Sequence, residues 1–205
     1  MILSQADLRL AVDAGDIQFT PSLEEKQWGE ASIDLRLGFQ FTKLQTVSGL
    51  SAISIAEGLG TIGKMGIWNT KTLKERDEHG NIEQYTLAPK EFILAMTYES
   101  ITVPKNMIAL VEGRSTYARM GLSMHQTAPW IQPGWSGPIV LEIMNNGPVR
   151  IALTPLADRP CQVTFFELKT SVPDGALYGT RPTDRYKNQS HPIVHDDPKV
   201  AVSIK

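Results

Sequence analysis

The stretch Glu91-Phe92-Ile93-Leu94-Ala95-Met96-Thr97-Tyr98, broken at Pro104 and resumed as Met107-Ile108-Ala109-Leu110-Val111, sets a rhythm that the chain keeps to residue 168. Short apolar runs return at 139–144, 149–153 and 162–168, with Gly113, Pro133-Gly134, Gly147-Pro148, Pro155 and Pro160 between them. Proline removes a ladder donor and glycine admits a turn, so this spacing predicts a mainly β fold: a β-barrel or jelly-roll-like sandwich of short strands. Upstream, residues 32–41 alternate as Ile33, Leu35, Leu37 and Phe39, a strand with one buried face. Asp34 and Arg36 fall on its other face, where charges are more often solvated or paired between subunits than catalytic. Residues 4–15 read as a short helix, with Ser4 as N-cap, Asp7 three positions on, Leu8, Ala11 and Val12 as an apolar stripe, and Gly15 as the stop. Residues 48–80 carry little pattern and are expected as loops with short strands. From 172 the chain turns polar, with Tyr178 and Tyr186 as its aromatics, so it divides into a β domain over 1–171 and a C-terminal arm or lid over 172–205.

The 205 residues are 41% hydrophobic, enough for one buried core, and carry a net charge of −2 with 20% charged residues. There is no basic field to hold a nucleic-acid polymer, so any phosphate-binding charge must be local. Cys161 is the one cysteine and cannot form an internal disulfide. No N-terminal apolar segment reads as a signal or membrane span, which makes the cytoplasm the expected compartment. Zinc-dependent base deaminases need His-x-Glu and Pro-Cys-x-x-Cys segments. None of His79, His125, His191 and His195 has Glu two residues later, so a base deaminase of this sequence would have to activate water without zinc.

Three segments carry candidate chemistry. The first is Gly113-Arg114-Ser115-Thr116-Tyr117-Ala118-Arg119-Met120-Gly121. Ser115 is expected to cap a one- or two-turn helix ended by Gly121, and exposed N–H groups beside Arg114 and Arg119 would suit an anion. Taken alone, an ordinary capped turn is the stronger reading, since arginines near helix ends are common. The second runs from His125 through Ile131-Gln132-Pro133-Gly134-Trp135 to the strand Ile139-Val140-Leu141-Glu142-Ile143-Met144. Trp135, after a turn, would offer a flat face to a sugar or base. Both faces of the strand are largely apolar, so Glu142 is its one ionisable residue in a buried setting, where a carboxyl can both accept and donate a proton near neutrality. By spacing alone, a rim glutamate paired with an arginine is the stronger reading. The third segment is Tyr178 with Arg185-Tyr186-Lys187-Asn188-Gln189, which would close over a nucleotide or be plain polar tail.

Together these segments resemble the dCTP deaminases of the deaminase/dUTPase superfamily, over nearly the whole chain. The match takes in Ala31-Ser32-Ile33-Asp34-Leu35-Arg36-Leu37-Gly38, Gly113 to Gly121, His125-x-Thr127-Ala128, Ile131-x-Pro133-Gly134-Trp135-x-Gly137, Ile139-Val140-Leu141-Glu142 and Arg185-Tyr186-x-x-Gln189. The resemblance implies a dUTPase-type β fold, a homotrimer with active sites at subunit interfaces, and dCTP and dUTP as ligands, with dTTP a candidate feedback inhibitor. It implies catalytic roles for Glu142, Ser115 and Arg119. Triphosphate contacts fall on Arg114, Ser115, Thr116, Tyr117, Ala118 and Arg119. Further nucleotide contacts fall on Gln132, Trp135, Val140, Leu141, Tyr178, Arg185 and Gln189. Mg²⁺ would travel with the triphosphate, with no zinc.

The implied chemistry is hydrolytic deamination of dCTP to dUTP and ammonia, with Glu142 moving the proton. Three positions depart from the family pattern. Gln132 stands where Asp is usual, Arg185 where Lys is common, and Trp130 where smaller or basic residues are usual. Gln132 disfavours a second, diphosphatase step to dUMP. A deaminase of 5-modified dCTP and a non-catalytic nucleotide-binding regulator remain as alternatives.

Overall fold

The computed structural model describes residues 1–45, 48, 52, 67–182, 184 and 186–192. Most of the expected loop region between 48 and 66 lies outside them, as do Arg185 and residues 193–205.

The first helix, α1 (Gln5–Asp13), starts as the sequence predicts: the Ser4 hydroxyl accepts from the Asp7 N–H, and the Asp7 carboxylate accepts from the Ser4 N–H, a reciprocal capping box. Leu8 and Ala11 are buried, and Gly15 takes a positive φ of 78° just past the helix. Everything else of size is β. The strands are β1 (Gln18–Thr20), β2 (Ile33–Leu35), β3 (Leu37–Leu44), β4 (Trp68–Thr72), β5 (Tyr85–Leu87), β6 (Phe92–Thr102), β7 (Met107–Gly113), β8 (Leu122–Ser123), β9 (Trp130–Ile131), β10 (Ser136–Asn145), β11 (Ile151–Leu153) and β12 (Cys161–Glu167). One sheet runs β4-β3-β6-β10-β8 with β1 added to β6, a second runs β2-β12-β7-β9, and β11 pairs β5; all pairings are antiparallel. The two larger sheets share one core without closing into a single hydrogen-bonded barrel: Ile33, Val163 and Phe165 of one meet Ile93, Leu141 and Ile143 of the other in a single apolar cluster. Each such side chain contributes about 1.5–3 kcal/mol when fully buried.

The expected strand over 32–41 is two strands in two sheets. The chain changes sheet at Arg36, whose N–H donates to Glu99 Oε2 at 2.8 Å and whose carbonyl accepts from Tyr98. Arg36 is therefore neither solvated nor left for a neighbouring subunit. It is 8% exposed, with Nε 2.5 Å from Glu99 Oε1, Nη1 on Glu24 and its guanidinium over the Tyr98 ring. Glu99 is fully buried and also accepts from Gln27 Nε2 at 3.1 Å. This corner lets β6 run through Glu99 to Thr102, well beyond the expected end at residue 98, because a charge with enough donors can sit in a core.

A second irregularity aims the functional strand. The register between β6 and β10 slips between Pro138 and Val140, where proline has no ladder donor to lose. The freed Ile139 N–H donates to the buried Thr97 hydroxyl at 2.9 Å, and that hydroxyl donates to the Glu99 carbonyl at 2.8 Å. Past the slip, burial alternates strictly along β10. Ile139, Leu141 and Ile143 are in the core, while Val140, Glu142 and Met144 are half-buried. The expectation that both faces are buried is thus corrected: among the described residues one face of β10 is only half covered.

Candidate active site

Gly113 ends β7 and the chain turns into a one-turn helix, α2 (Ser115–Ala118). Its N-cap is Arg114, not Ser115, and no side chain caps it. The cap falls one residue early because Arg114 is held extended, its N–H donating to Pro160 at 3.0 Å while its carbonyl accepts from Tyr117 and Ala118. The N–H groups of Ser115 and Thr116 have no partner among the described residues. Ser115, Thr116, Ala118 and Arg119 are exposed, and no ion pair engages Arg119 among those residues. Two free donors, a hydroxyl pair and a free guanidinium suit an anionic group. Tyr117 is different: its hydroxyl donates to Asp158 Oδ1 at 3.0 Å and accepts from the Arg159 N–H at 3.1 Å. Burial first, then the Asp158 charge, pushes this phenol up to about 12. It anchors the 154–159 loop, so its hydroxyl is committed inside the protein.

Gly121, at φ 92°, then reverses the chain; a Cβ there would lie 2.5 Å from the Gly147 nitrogen. The return strand β8 lies beside β10, pairing Ser123 with Met144. This sets the end of α2 beside the turn after β10, where the Asn146 N–H donates to the Gly121 carbonyl at 2.7 Å. The Glu142 N–H donates to the Met124 carbonyl at 3.0 Å, and Glu142 Oε2 accepts from the Gln126 N–H at 2.9 Å. Because Glu142 turns its backbone groups away from β6, ladder alternation turns those of Val140 the same way, to an open edge, and those of Leu141 toward β6. Leu141 also buries its side chain fully, so it supports the strand from behind.

Other expected contacts separate in space. Gln132 is exposed, in a turn where its carbonyl accepts from the Trp135 N–H at 3.0 Å and Gly134 takes φ 89°. Trp135 is not an open platform. It is 9% exposed, donates Nε1–H to the Gly137 carbonyl at 3.0 Å and packs its ring 5.4 Å from that of Tyr178. An indole this size gains more from the core than from solvent, and its one donor is satisfied within two residues. Tyr178 therefore belongs to the seam between the body and the arm. Its N–H donates to Pro133, its hydroxyl accepts from the Tyr186 N–H at 3.1 Å, and Asn188 donates to the Ser136 carbonyl at 2.8 Å. Ser136 lies six residues from Glu142, about 20 Å along the strand, but the arm then turns back across the sheet, where His191 Nδ1 lies 3.2 Å from Gln40 Oε1 on β3. Gln189 carries a buried side-chain oxygen with no donor among the described residues. The expected contact Arg185 lies outside them.

Two residues were missed by reading the sequence. Asp34, set aside as surface charge, pairs with Arg114 at 3.1 Å. Gln126, an unmarked position after His125, touches Glu142 twice. An acid in the strand before a corner and an amide beside a motif histidine are weak signals; only the fold brings them in. Among the described residues no three His, Cys, Asp or Glu side chains form a group that would hold a metal. No helix there is long and apolar enough to cross a membrane.

A sequence profile described as dCTP deaminase-like matches residues 2–168. The chain belongs to the dCTP deaminase-like family. A protein of this family from Methanosphaera stadtmanae, named dCTP deaminase, dUMP-forming, is 36% identical over 194 residues, 94% of this chain and 92% of the relative. The dCTP deaminase of Rhodospirillum rubrum is 34% identical over 193 residues, 94% and 95% of the two chains. The crystal structure of 2′-deoxycytidine 5′-triphosphate deaminase from Agrobacterium tumefaciens matches with a TM-score of 0.58 at 21% identity, over 80% of this chain and 48% of that one. The present chain spans about half the length of that protein, and the likeness shows the shared dCTP deaminase-type fold.

Proposed function

We propose that the protein is a dCTP deaminase that converts dCTP and water to dUTP and ammonia, with Glu142 as the general acid–base group. The observation that carries this reading is the setting of Glu142. It is the one carboxylate on the half-open face of β10, its Oε2 fixed by the Gln126 N–H at 2.9 Å and its Oε1 without a partner among the described residues. In this mechanism Oε1 takes a proton from water as the water oxygen bonds to the ring carbon bearing the amino group. The proton passes to the adjacent ring nitrogen. The carbon–nitrogen bond then breaks, and the hydroxyl proton of the adduct leaves with the amino group as ammonia. Arg114, Arg119 and the free N–H groups of Ser115 and Thr116 bind the triphosphate, and Ser115 and Arg119 help to place the water and the carboxylate. Mg²⁺ carried by the triphosphate would neutralise phosphate charge, with Arg114 and Arg119 as the chain's own cations beside it.

Among the described residues nothing closes over Glu142, and the Tyr178 and Asn188 parts of the arm dock at Pro133 and Ser136, the latter about 20 Å along the strand from it. We read the working form as a homotrimer in which Tyr178, Arg185 and Gln189 of one chain close over a nucleotide held by another. Gln189, with its buried unpartnered oxygen, is suited to that role. Such an enzyme works on the nucleotide pool of the cytoplasm. A second reading, continued hydrolysis to dUMP, is favoured by the name of the Methanosphaera relative. The neutral, exposed Gln132 disfavours it, because an amide cannot act as a base toward water.

The test is incubation with Mg²⁺ and dCTP beside a Glu142→Gln variant, following ammonia, dUTP, dUMP and pyrophosphate. Ammonia and dUTP from the unmodified protein alone, without pyrophosphate, are expected. Pyrophosphate would establish the second reading. Nucleotide binding without ammonia would reject deamination of dCTP and point to a 5-modified substrate or a regulator.

A further inference from the structure

We propose that Gln126 is a positioning residue for Glu142, an inference that rests on the deaminase reading above. Gln126 meets Glu142 at both ends. Its backbone N–H donates to carboxylate Oε2 at 2.9 Å, and its side-chain Nε2 donates to the Glu142 carbonyl at 3.1 Å. The second contact has a structural cause. β8 pairs with β10 at only two positions, Met144 with Ser123 and Asn145 with Leu122. Beyond them the Glu142 N–H still finds the Met124 carbonyl, but the Glu142 carbonyl has no backbone donor left on that side. The Gln126 amide supplies it, extending the ladder by one side-chain bond just where the backbone turns away. The same segment is tied on its other side by His125 Nε2, 3.1 Å from Glu112 Oε2.

The consequence is chemical. With Oε2 held by an N–H, the carboxylate cannot rotate freely, and Oε1 is presented in one direction to receive a proton. Proton transfer depends on that aim, and a 1 Å misplacement costs about 100-fold in rate. Among the described residues the side chain of Gln126 bonds to Glu142 and to none of the residues assigned to the triphosphate, so its effect falls on turnover and not on affinity.

The test uses the full chain with Gln126→Leu, which keeps the backbone N–H and loses the amide, and Gln126→Glu, which replaces the donor by an acceptor. In both, kcat for dCTP is expected to fall roughly 10- to 100-fold with KM changed less than about twofold. In parallel, hydrogen exchange of the residue 126 amide is measured without nucleotide in the unmodified protein, in Gln126→Leu and in Glu142→Ala; both variants are expected to exchange faster. Unchanged kcat, or kcat and KM moving together with a lowered Tm, would overturn the proposal. Should the unmodified protein release no ammonia from dCTP, the function fails by that result alone. The exchange measurement then decides the clamp, and equal rates in the unmodified protein and Glu142→Ala reject it.

Discussion

Arg114 Nη1 lies 3.1 Å from an Asp34 carboxylate oxygen and donates at the same distance to the Arg159 carbonyl, so one nitrogen of the guanidinium is fixed from two sides. Asp34 sits on β2, pairing Gln162 of β12, which makes a strand of the sheet the ruler that sets where Arg114 points. Loss of this aim in Asp34→Asn is expected to raise KM for dCTP on the order of tenfold, the worth of one bond to a charged group. Burial is the largest influence on the Asp34 carboxyl and raises it above 3.8, against the pull of Arg114. The folded state then holds this proton longer than the unfolded one, so this group's contribution to stability declines as pH rises above 3.8. Tm measured against pH should be flatter in that window for Asp34→Asn; an unchanged slope with unchanged KM would show that the pair is incidental.

Tyr117 offers an alkaline counterpart. Its phenol titrates at about 12 in the folded chain, through burial first and the Asp158 charge second, against 10.0 for a free tyrosine. Between those values the unfolded state ionises while the folded state stays neutral, so stability is lost as pH rises through them. Tyr117→Phe removes the bonds to Asp158 and Arg159, costing about 1 kcal/mol near pH 7, and should make the fall in Tm from pH 10 to 12 shallower. Thermal scans of the two proteins over that range decide it.

The Arg36–Glu99 corner should be intolerant of half-removal. Glu99→Leu strips acceptors from the Arg36 N–H, Arg36 Nε and Gln27 Nε2 at once and leaves a buried cation with only the partly exposed Glu24. The expected loss is about 3 kcal/mol, or roughly 6–12 °C in Tm for a chain of this size. The double variant Arg36→Met/Glu99→Leu should recover much of it. If the double variant is no better than the single, the corner stabilises by geometry and not by charge balance.

This ion pair also marks where the sequence stops being readable. The capping box at Ser4 and Asp7, and the alternation of β10, are local rules written in neighbouring residues, so both could be read before folding. Arg36 and Glu99 are 63 positions apart. Each alone looks like surface charge, and only the sheet change makes them mutual ligands. Trp135 was misjudged for a related reason: an aromatic after a turn signals a platform or an anchor equally, and the Gly137 carbonyl and the Tyr178 ring decide for the anchor. Glu142 stood out because it is the one charge in its strand. The opening of its face and the Gln126 clamp depend on where β8 ends, which no spacing encodes.

Trp130 is the residue through which the assembly can be tested. It is 53% exposed on the outer face of the β2-β12-β7-β9 sheet, its ring 6.0 Å from Phe166, and Ile2, 57% exposed, bridges to Phe166 on the other side. Ile108 and Leu110 are half-buried between them, Ile108 opposite Phe166 and Leu110 opposite Trp130. A contiguous apolar row across three strands, with Gln162 and Glu112 at its margin, has the make-up of an interface core with a polar rim. If copies of this chain meet there, Trp130→Glu sets a charge in each copy against apolar surface and against its symmetry mates, removing about 2–4 kcal/mol per contact. Light scattering should then report a smaller species than the trimer proposed for the unmodified protein. Ammonia release should fall with it, because the nucleotide site would lose the arm of the neighbouring chain. A variant that stays trimeric and active would place the interface on another face and leave this row as uncovered surface. A variant that is monomeric yet fully active would show that each chain closes its own site.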